Sequence, residues 1–389
     1  MDLGNTRSFD NIEETEIVKR FKFTEEQFGK ILSDLLKIPT ITNINCWYEK
    51  IIISDNNKGK EYCYDFSQNT KEEVEEYRNA IIKMPENLSH IMGKHYNPAN
   101  PVLDAENADN EAIGRLRINS IYTDVVSSDG TYQPAISIRK TLMSLRINEE
   151  YILESNYASQ EILDLLETTL KARCSIVICG KTNAGKTELL RYEARNLEGN
   201  IITIEDTREA YLRYNYPDKN VLEIKAEPED FSKFIRASLR QAPEWILVSE
   251  ARNEEVLELL NSVETDHSIV TTIHSSSAQQ IPNRVVDMSK ASGYNVARIT
   301  RQVYQNIDLG VYIDYQNTDK GSKRKITEIC EFYVDFNNET GEETNKCHTL
   351  CKYDYETEKY EYHLIQSPRI KEQIAKRKIS TDKIKGVFI

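Results

Sequence analysis

No stretch of this 389-residue chain approaches the ~18 consecutive apolar residues that a membrane-spanning helix needs. The first 17 residues are polar and acidic and lack the apolar core of a secretory signal, so the protein is expected to be made and kept in the cytoplasm. Positive charge is short: 50 Lys and Arg stand against 63 Asp and Glu, a net charge of -13. A chain that grips duplex DNA over its surface carries a basic field that displaces counterions, so no nucleic-acid partner is expected here. A disulfide framework is missing too. The seven cysteines are an odd number, scattered, with Cys174 and Cys179 inside an apolar run, which reads as reduced core thiols. Cys330, Cys347, His348 and Cys351 have a spacing that fits no standard zinc set. There is no internal repeat and no low-complexity tract. What remains, 39% hydrophobic and 29% charged residues, is the balance of a globular protein with two or three domains.

The apolar pattern changes along the chain. Residues 1–90 read as a helical N-terminal segment. Phe28, Ile31, Leu35 and Leu36 recur near helical spacing until Pro39, and a second helical stretch over 72–83 ends near Pro85. Residues 91–150 read as the second half of an α+β N-terminal domain. There, 117–121 and 135–139 alternate apolar and polar residues around the turn signal Ser127-Ser128-Asp129-Gly130. A polar stretch, 148–159, serves as the linker. From 151 to 310, short apolar runs (174–179, 201–204, 245–248, 268–273) alternate with helical stretches (160–171, 188–197, 230–241, 253–264), which predicts a parallel sheet covered on both faces. Beyond about 310 the chain is tyrosine-rich and alternating, a β-rich extension over 311–389. It closes on a basic helix, 369–378, that starts at Ser367-Pro368 and carries Lys371, Lys376, Arg377 and Lys378. Such a run is a solvated face or a contact for anionic lipid or a partner.

Chemistry enters at Gly180-Lys181-Thr182-Asn183-Ala184-Gly185-Lys186-Thr187, followed by Glu188. An apolar run precedes this segment and a helix follows it. Phosphate needs closely approaching backbone N–H groups, which the glycines permit, and the helix N-terminus adds its positive end. Lys186 is placed to reach the β- and γ-phosphates of ATP, and the Thr187 hydroxyl to ligate Mg2+. Two other apolar runs end in carboxylates: 202–204 in Glu205-Asp206, and 245–248 in Ser249-Glu250. Such a pair divides the labour between the metal shell and the attacking water, and the sequence does not assign which does which. His267 and His274, two of only six histidines, bracket the run 268–273 and are candidates for sensing phosphate.

In this order, these segments resemble the secretion or traffic ATPases, the ring motors of type II and type IV secretion systems and of type IV and Tad pili. Residues 180–187 resemble that family's Walker A element and Thr203-Ile204-Glu205-Asp206-Thr207-Arg208-Glu209 its Asp box. Leu239 through Arg252 resembles its Walker B element, and Thr265-Asp266-His267 through Ile273-His274-Ser275 its His box. Upstream, Asn97-Pro98, Pro101-Val102-Leu103-Asp104-Ala105, Arg117-Ile118-Asn119 and Ser137-Ile138-Arg139-Lys140 resemble its N-terminal domain, nearest the Tad and Flp-pilus branch.

The resemblance implies an α/β fold: a RecA-like P-loop ATPase domain with a parallel sheet, preceded by a mixed α+β domain. It implies ATP and Mg2+ as cofactors, with Thr187, Glu205 and Glu250 around the metal. Arg117 and Arg139 are implied as arginine fingers, acting within the chain or across to a neighbour, and Arg240 and Arg252 as further nucleotide-facing arginines. It implies a homo-hexamer working on an integral inner-membrane platform protein, peripherally associated with the inner face of the membrane. Two positions depart from the family pattern: Ser249 and Asp266 each stand where glycine is usual, both expected near the nucleotide. Against the expected ATP-hydrolysing motor stand two alternatives, a DNA translocase or packaging ATPase and a catalytically weak nucleotide-dependent scaffold.

Overall fold

The computed structural model describes residues 32–47, 50–55, 60–65, 70–106, 113–123, 134–253, 255–289, 293, 295–318, 321–337, 339 and 341–389. The chain forms two compact units, Met1–Met143 and Ser144–Ile389, so the division falls a few residues before the expected one.

In the first unit a short helix α1 (32–37) leads into β1 (Ile41–Trp47), β2 (Lys50–Asp55) and β3 (Lys60–Asp65). Helix α2 (Lys71–Met92) follows, then β4 (Val102–Glu106), β5 (Arg115–Ile121) and β6 (Ala135–Thr141). The strands make one antiparallel sheet in the order β3-β2-β1-β6-β5-β4. This corrects the helical reading of 1–90: residues 41–47, 50–55 and 60–65 are strands. Ile41, Ile44, Cys46 and Ile51 are buried on the sheet's covered face, so tertiary pairing decides the conformation of short runs whose periodicity is ambiguous.

Helix α2 also runs on past Pro85, the expected stop. Pro85 lies on the buried face with Tyr77, Ile81, Met84 and Leu88, and packing of that face outweighs the one backbone hydrogen bond that proline removes. Thr70 and Glu73 close its start as a reciprocal cap, and Gly93 ends it at φ 63. The expected turn at 127–130 and the helical reading of 21–31 lie outside the described residues.

The second unit starts with α3 (Glu149–Glu154) and α4 (Gln160–Lys171), capped by Asn148 and Ser159, so half of the expected linker is helical. Then come β7 (Ile176–Gly180), α5 (Lys186–Glu193), β8 (Asn200–Glu205), α6 (Leu212–Asn215), β9 (Asn220–Lys225), α7 (Phe231–Ser238) and β10 (Trp245–Val248). After these follow α8 (Glu255–Val263), β11 (Ser268–Ile273), α9 (Ile281–Met288) and α10 (Val296–Asn306). The chain ends in β12 (Leu309–Thr318), β13 (Gly321–Phe336), β14 (Glu343–Asp354), β15 (Lys359–Tyr362) and α11 (Pro368–Lys376).

One nine-stranded mixed sheet runs through this unit, in the order β15-β14-β13-β12-β7-β11-β10-β8-β9. From β9 to β12 neighbouring strands are parallel. β12 to β15 are antiparallel. Buried side chains cover both faces: Ile178, Leu189, Trp245 and Val311 belong to one cluster, and Val177, Ile204, Ile246 and Ile273 to the other. The β-rich extension is therefore a continuation of the same sheet, and the terminal helix is built into it. Ser367 caps α11, and Ile370 and Ile374 are buried. Arg369 reaches the fully buried Asp308 at 3.1 Å. The basic face seen in the sequence belongs to an anchored helix.

Candidate nucleotide-binding site

Strand direction assembles the site. In the parallel part of the sheet Val248 pairs with Ile204 and Thr271, while Ile273 pairs with Cys179. The residues just past those pairs, Glu205, Ser249-Glu250, His274 and Gly180, therefore emerge along one edge, the carboxyl ends of the strands. That is the edge where open α/β sheets place ligands.

The loop after β7 has the backbone that phosphate binding needs. Gly180 takes φ 155, and a Cβ there would stand 2.5 Å from the Ile313 carbonyl oxygen of β12. Asn183 and Gly185 are left-handed, at φ 64 and 89, and Gly185 leads directly into α5. With no side chain capping the first turn of α5, its N–H groups point into the loop. Lys186 is 8% exposed, and its Nζ donates to the Gly180 and Lys181 carbonyls, each at 3.2 Å. Thr187 follows it, half-buried, in the first turn of the helix. Lys181, Thr182 and Asn183 are exposed, and Ala184 is buried beneath the loop.

Beside this loop lies a connected chain of polar groups. His274 stands 3.4 Å from Lys186 Nζ through Nδ1 and 3.1 Å from Glu250 Oε1 through Nε2. The lysine can only donate, so this arrangement fits an imidazole that accepts at Nδ1 and carries its proton at Nε2 toward the carboxylate. Arg252 holds Glu250 through Nε at 3.0 Å and Nη2 at 3.1 Å, and reaches Asp206 at 3.4 Å. Burial pushes Glu250 up, but the Arg252 hydrogen bond and charge, with His274 and Lys186, outweigh it and hold the carboxyl below its usual value. Glu250 is thus ionised at the loop's edge.

Glu205 has a different setting. It is 2% exposed, and its Oε1 accepts from the backbone N–H of Glu209 at 3.2 Å and of Ala210 at 3.0 Å. Burial raises its pKa to about 8, so it is largely neutral at pH 7 in this conformation. Asp206 accepts from the Thr207 N–H at 2.8 Å besides facing Arg252. Glu188 is held by Arg191 at 2.6 Å and by the Arg146 N–H at 3.3 Å, an intramolecular brace of its side chain.

Two expected contacts fall at the wrong end of the sheet. His267 precedes β11 and His274 follows it, so a whole strand, about 20 Å, separates them. His267 joins the amino edge, where its N–H donates to the Ser262 carbonyl. Arg240 is exposed in the turn that leads into the amino end of β10. Neither is brought to the loop within this chain. The same holds for Asp266, which lies in the left-handed region at φ 67. Its usual glycine relieves backbone strain at the amino edge, not beside the nucleotide. Arg117 and Arg139 belong to the first unit and are direct cross-strand partners on β5 and β6, one half-buried and one exposed. Like charges so placed repel unless an anion or acid lies between them.

Sequence reading missed one residue at the loop. Arg324, on β13, donates from Nε to the Asn183 carbonyl at 3.0 Å. Its signal was long-range: the two residues are 141 positions apart. Among the described residues, no group of three or more His, Cys, Asp or Glu is arranged to hold a metal ion, and no helix is long and apolar enough to cross a membrane.

A glycine loop between a buried strand and a helix, with its lysine and a neighbouring ionised carboxylate on the carboxyl edge, is the arrangement that P-loop folds use to cradle phosphate. Residues 129–309 match the family model described as Type II/IV secretion system protein. It is 28% identical over 311 residues to an uncharacterized protein of Bacillus anthracis, covering 76% of this chain and 66% of that one. Over 208 residues it is 26% identical to the type IV pilus ATPase PilU of Pseudomonas aeruginosa, covering 51% and 48%. Its fold is similar to the ATPase DotB of Legionella pneumophila, with a TM-score of 0.52 at 20% identity over 80% of this chain and 83% of that chain. The chain spans between 40% and 66% of the length of the curated relatives it first matches.

Proposed function

We propose that this protein is a Mg2+-dependent ATPase with a RecA-like motor domain, working in a ring, as a hexamer, to power secretion or pilus assembly. The observation that supports it most is the unbroken chain from Lys186 through His274 to Glu250 and Arg252 at the mouth of the glycine loop. The residues fit nucleotide with Mg2+. Lys186 donates to loop carbonyls with which phosphate oxygens would compete for it, and Thr187 and Glu250 offer the hard oxygen atoms that Mg2+ takes alongside substrate phosphates.

When bound, the ion neutralises phosphate charge. The chain's own residues do the rest. Backbone N–H groups of 181–187 bind the phosphates, and Lys186 exchanges its carbonyl partners for phosphate oxygens. Glu250, kept ionised by Arg252, belongs to the metal shell and orients the attacking water. Glu205, buried and largely protonated in this conformation, acts as the water's base only after it has lost its proton and left the Glu209 and Ala210 N–H groups. His274 links the loop lysine to Glu250, so the state of the phosphate is felt at both. Arg117 and Arg139, two cations side by side on a strand pair, suit the role of arginine fingers, and Arg240 on the opposite edge suits contact with a neighbouring subunit. The partner of the ring is an integral protein of the inner membrane, with the ring at its cytoplasmic face.

The test is steady-state hydrolysis with Mg2+ beside Lys186→Ala, with light scattering on the same samples. Turnover abolished by the substitution, in a ring-sized particle, is the expected result. A monomer without turnover sinks the motor reading and leaves a scaffold. Hydrolysis that requires added DNA moves the protein to the translocases.

A further inference from the structure

The C-terminal hairpin does more than extend the sheet. Only the first half of β12, residues 309–313, pairs with β7, whose last residue is Gly180. Residues 314–318 pair with β13 alone, over 321–325. The hairpin therefore overhangs the carboxyl edge by about 16 Å, taking five residues at strand rise, beside the phosphate loop. On this overhang Tyr315 and Arg324 are cross-strand partners, and the guanidinium lies over the tyrosine ring at 4.9 Å. Such stacking restricts a long, flexible side chain. From there Arg324 donates to the Asn183 carbonyl at 3.0 Å, and its Cδ lies 3.5 Å from where a Cβ on Gly185 would stand.

Asn183 is the non-glycine residue of the loop that turns left-handed, at φ 64. A left-handed, non-glycine residue lies in a less populated conformation and relaxes unless its peptide is held. Its carbonyl faces the hairpin, and the N–H of the same peptide, that of Ala184, donates to the Lys181 carbonyl at 3.2 Å, so this one peptide both closes the loop's turn and meets Arg324. Arg324 supplies a charge-assisted hydrogen bond to that carbonyl. We propose that Arg324 is a positioning residue for the nucleotide. Seated on Tyr315, it clamps the reversed peptide at Asn183 and keeps the phosphate loop open to its ligand. The C-terminal hairpin is then a mechanical part of the nucleotide site. This inference rests on the phosphate-loop reading above.

The experiment measures affinity for ADP and for inorganic tripolyphosphate, with Mg2+, in the full chain and in Arg324→Gln, Arg324→Lys, Tyr315→Leu and Lys186→Ala. Arg324→Gln is expected to weaken both ligands by the same factor, about tenfold, because the clamp acts on the phosphate-binding backbone. Arg324→Lys, which restores a charged donor, recovers most of this. Tyr315→Leu weakens both ligands about threefold, and it leaves Arg324 in place should the Gln variant fold poorly. In hydrolysis, KM rises with kcat within about twofold. Unchanged affinity in Arg324→Gln and Tyr315→Leu, while Lys186→Ala abolishes binding, overturns the clamp and leaves the phosphate loop standing. Loss for ADP alone makes Arg324 a base contact and overturns it too. No binding of either ligand by the unaltered chain overturns both readings.

Discussion

Replacing Glu250 by glutamine separates catalysis from folding at this site. The carboxylate receives three N–H groups: Arg252 Nε and His274 Nε2 on one oxygen, Arg252 Nη2 on the other. Glutamine keeps one oxygen and turns an NH2 group toward a donor, so one of the three loses its acceptor. The side chain is 25% exposed and water reaches it, so the lost bond costs about 1 kcal/mol rather than the penalty of a fully buried orphan. For a unit of this size that is a fall in melting temperature of about 2–4 °C. The chemistry loses far more. Without the charge there is no anionic oxygen to orient water beside the γ-phosphate, and kcat should drop by about 10² to 10⁴. Affinity for ADP without Mg2+ should stay within about threefold, because Lys186 and the loop N–H groups are untouched. The assay pairs phosphate release at saturating ATP with calorimetry of ADP binding and a thermal melt. A kcat within about threefold of the unaltered protein, with binding intact, would refute the role given to Glu250.

The two histidines should part company. His274→Ala should lower kcat at least about tenfold, while His267→Ala at the other end of β11 should leave nucleotide affinity within about twofold, read by titration; equal losses in both would contradict the strand geometry. Stability should fall as pH rises. Glu205 and Glu193 are buried carboxyls raised to about 8 and about 7. The folded state therefore holds protons that the unfolded chain releases above about 4.5, and their contribution is present at low pH and lost as pH climbs through 7 and 8. Each such proton is worth up to about 1.4 kcal/mol per pH unit, and urea melts between pH 5 and 8.5 should show the slope shrink in Glu205→Gln. Arg369→Ala should cost about 3–5 kcal/mol in the same melts, since it leaves Asp308 buried without its cation; a loss below about 1 kcal/mol would show that α11 is not anchored there.

The glycine loop, the strand before it and the helix after it were legible from sequence because phosphate binding of this kind is local: eight consecutive residues supply the N–H groups, the lysine and the hydroxyl. The alternation of strands and helices was legible for the same reason, since buried parallel strands are short apolar runs with nothing polar to satisfy. Glu250 could be named because it ends such a run. What a carboxylate or histidine does at a strand end depends on which end of the sheet it occupies and what lies across from it. His267 and His274 are seven residues apart, and the direction of one strand sends them to opposite edges. Glu205 and Glu250 have the same local form, yet one is buried against its own loop's N–H groups and rises to about 8, while the other meets Arg252 and stays ionised. Residues 41–47, 50–55 and 60–65 became strands because a sheet was there to pair with them, and β9 escaped notice as a half-exposed edge strand with no clear period. Arg324 meets Asn183 across 141 residues of chain. By itself the sequence determined a glycine loop between a buried strand and a helix. The tertiary structure decided which distant side chains stand around it, because strand order and direction are set by long-range pairing that no window of sequence contains.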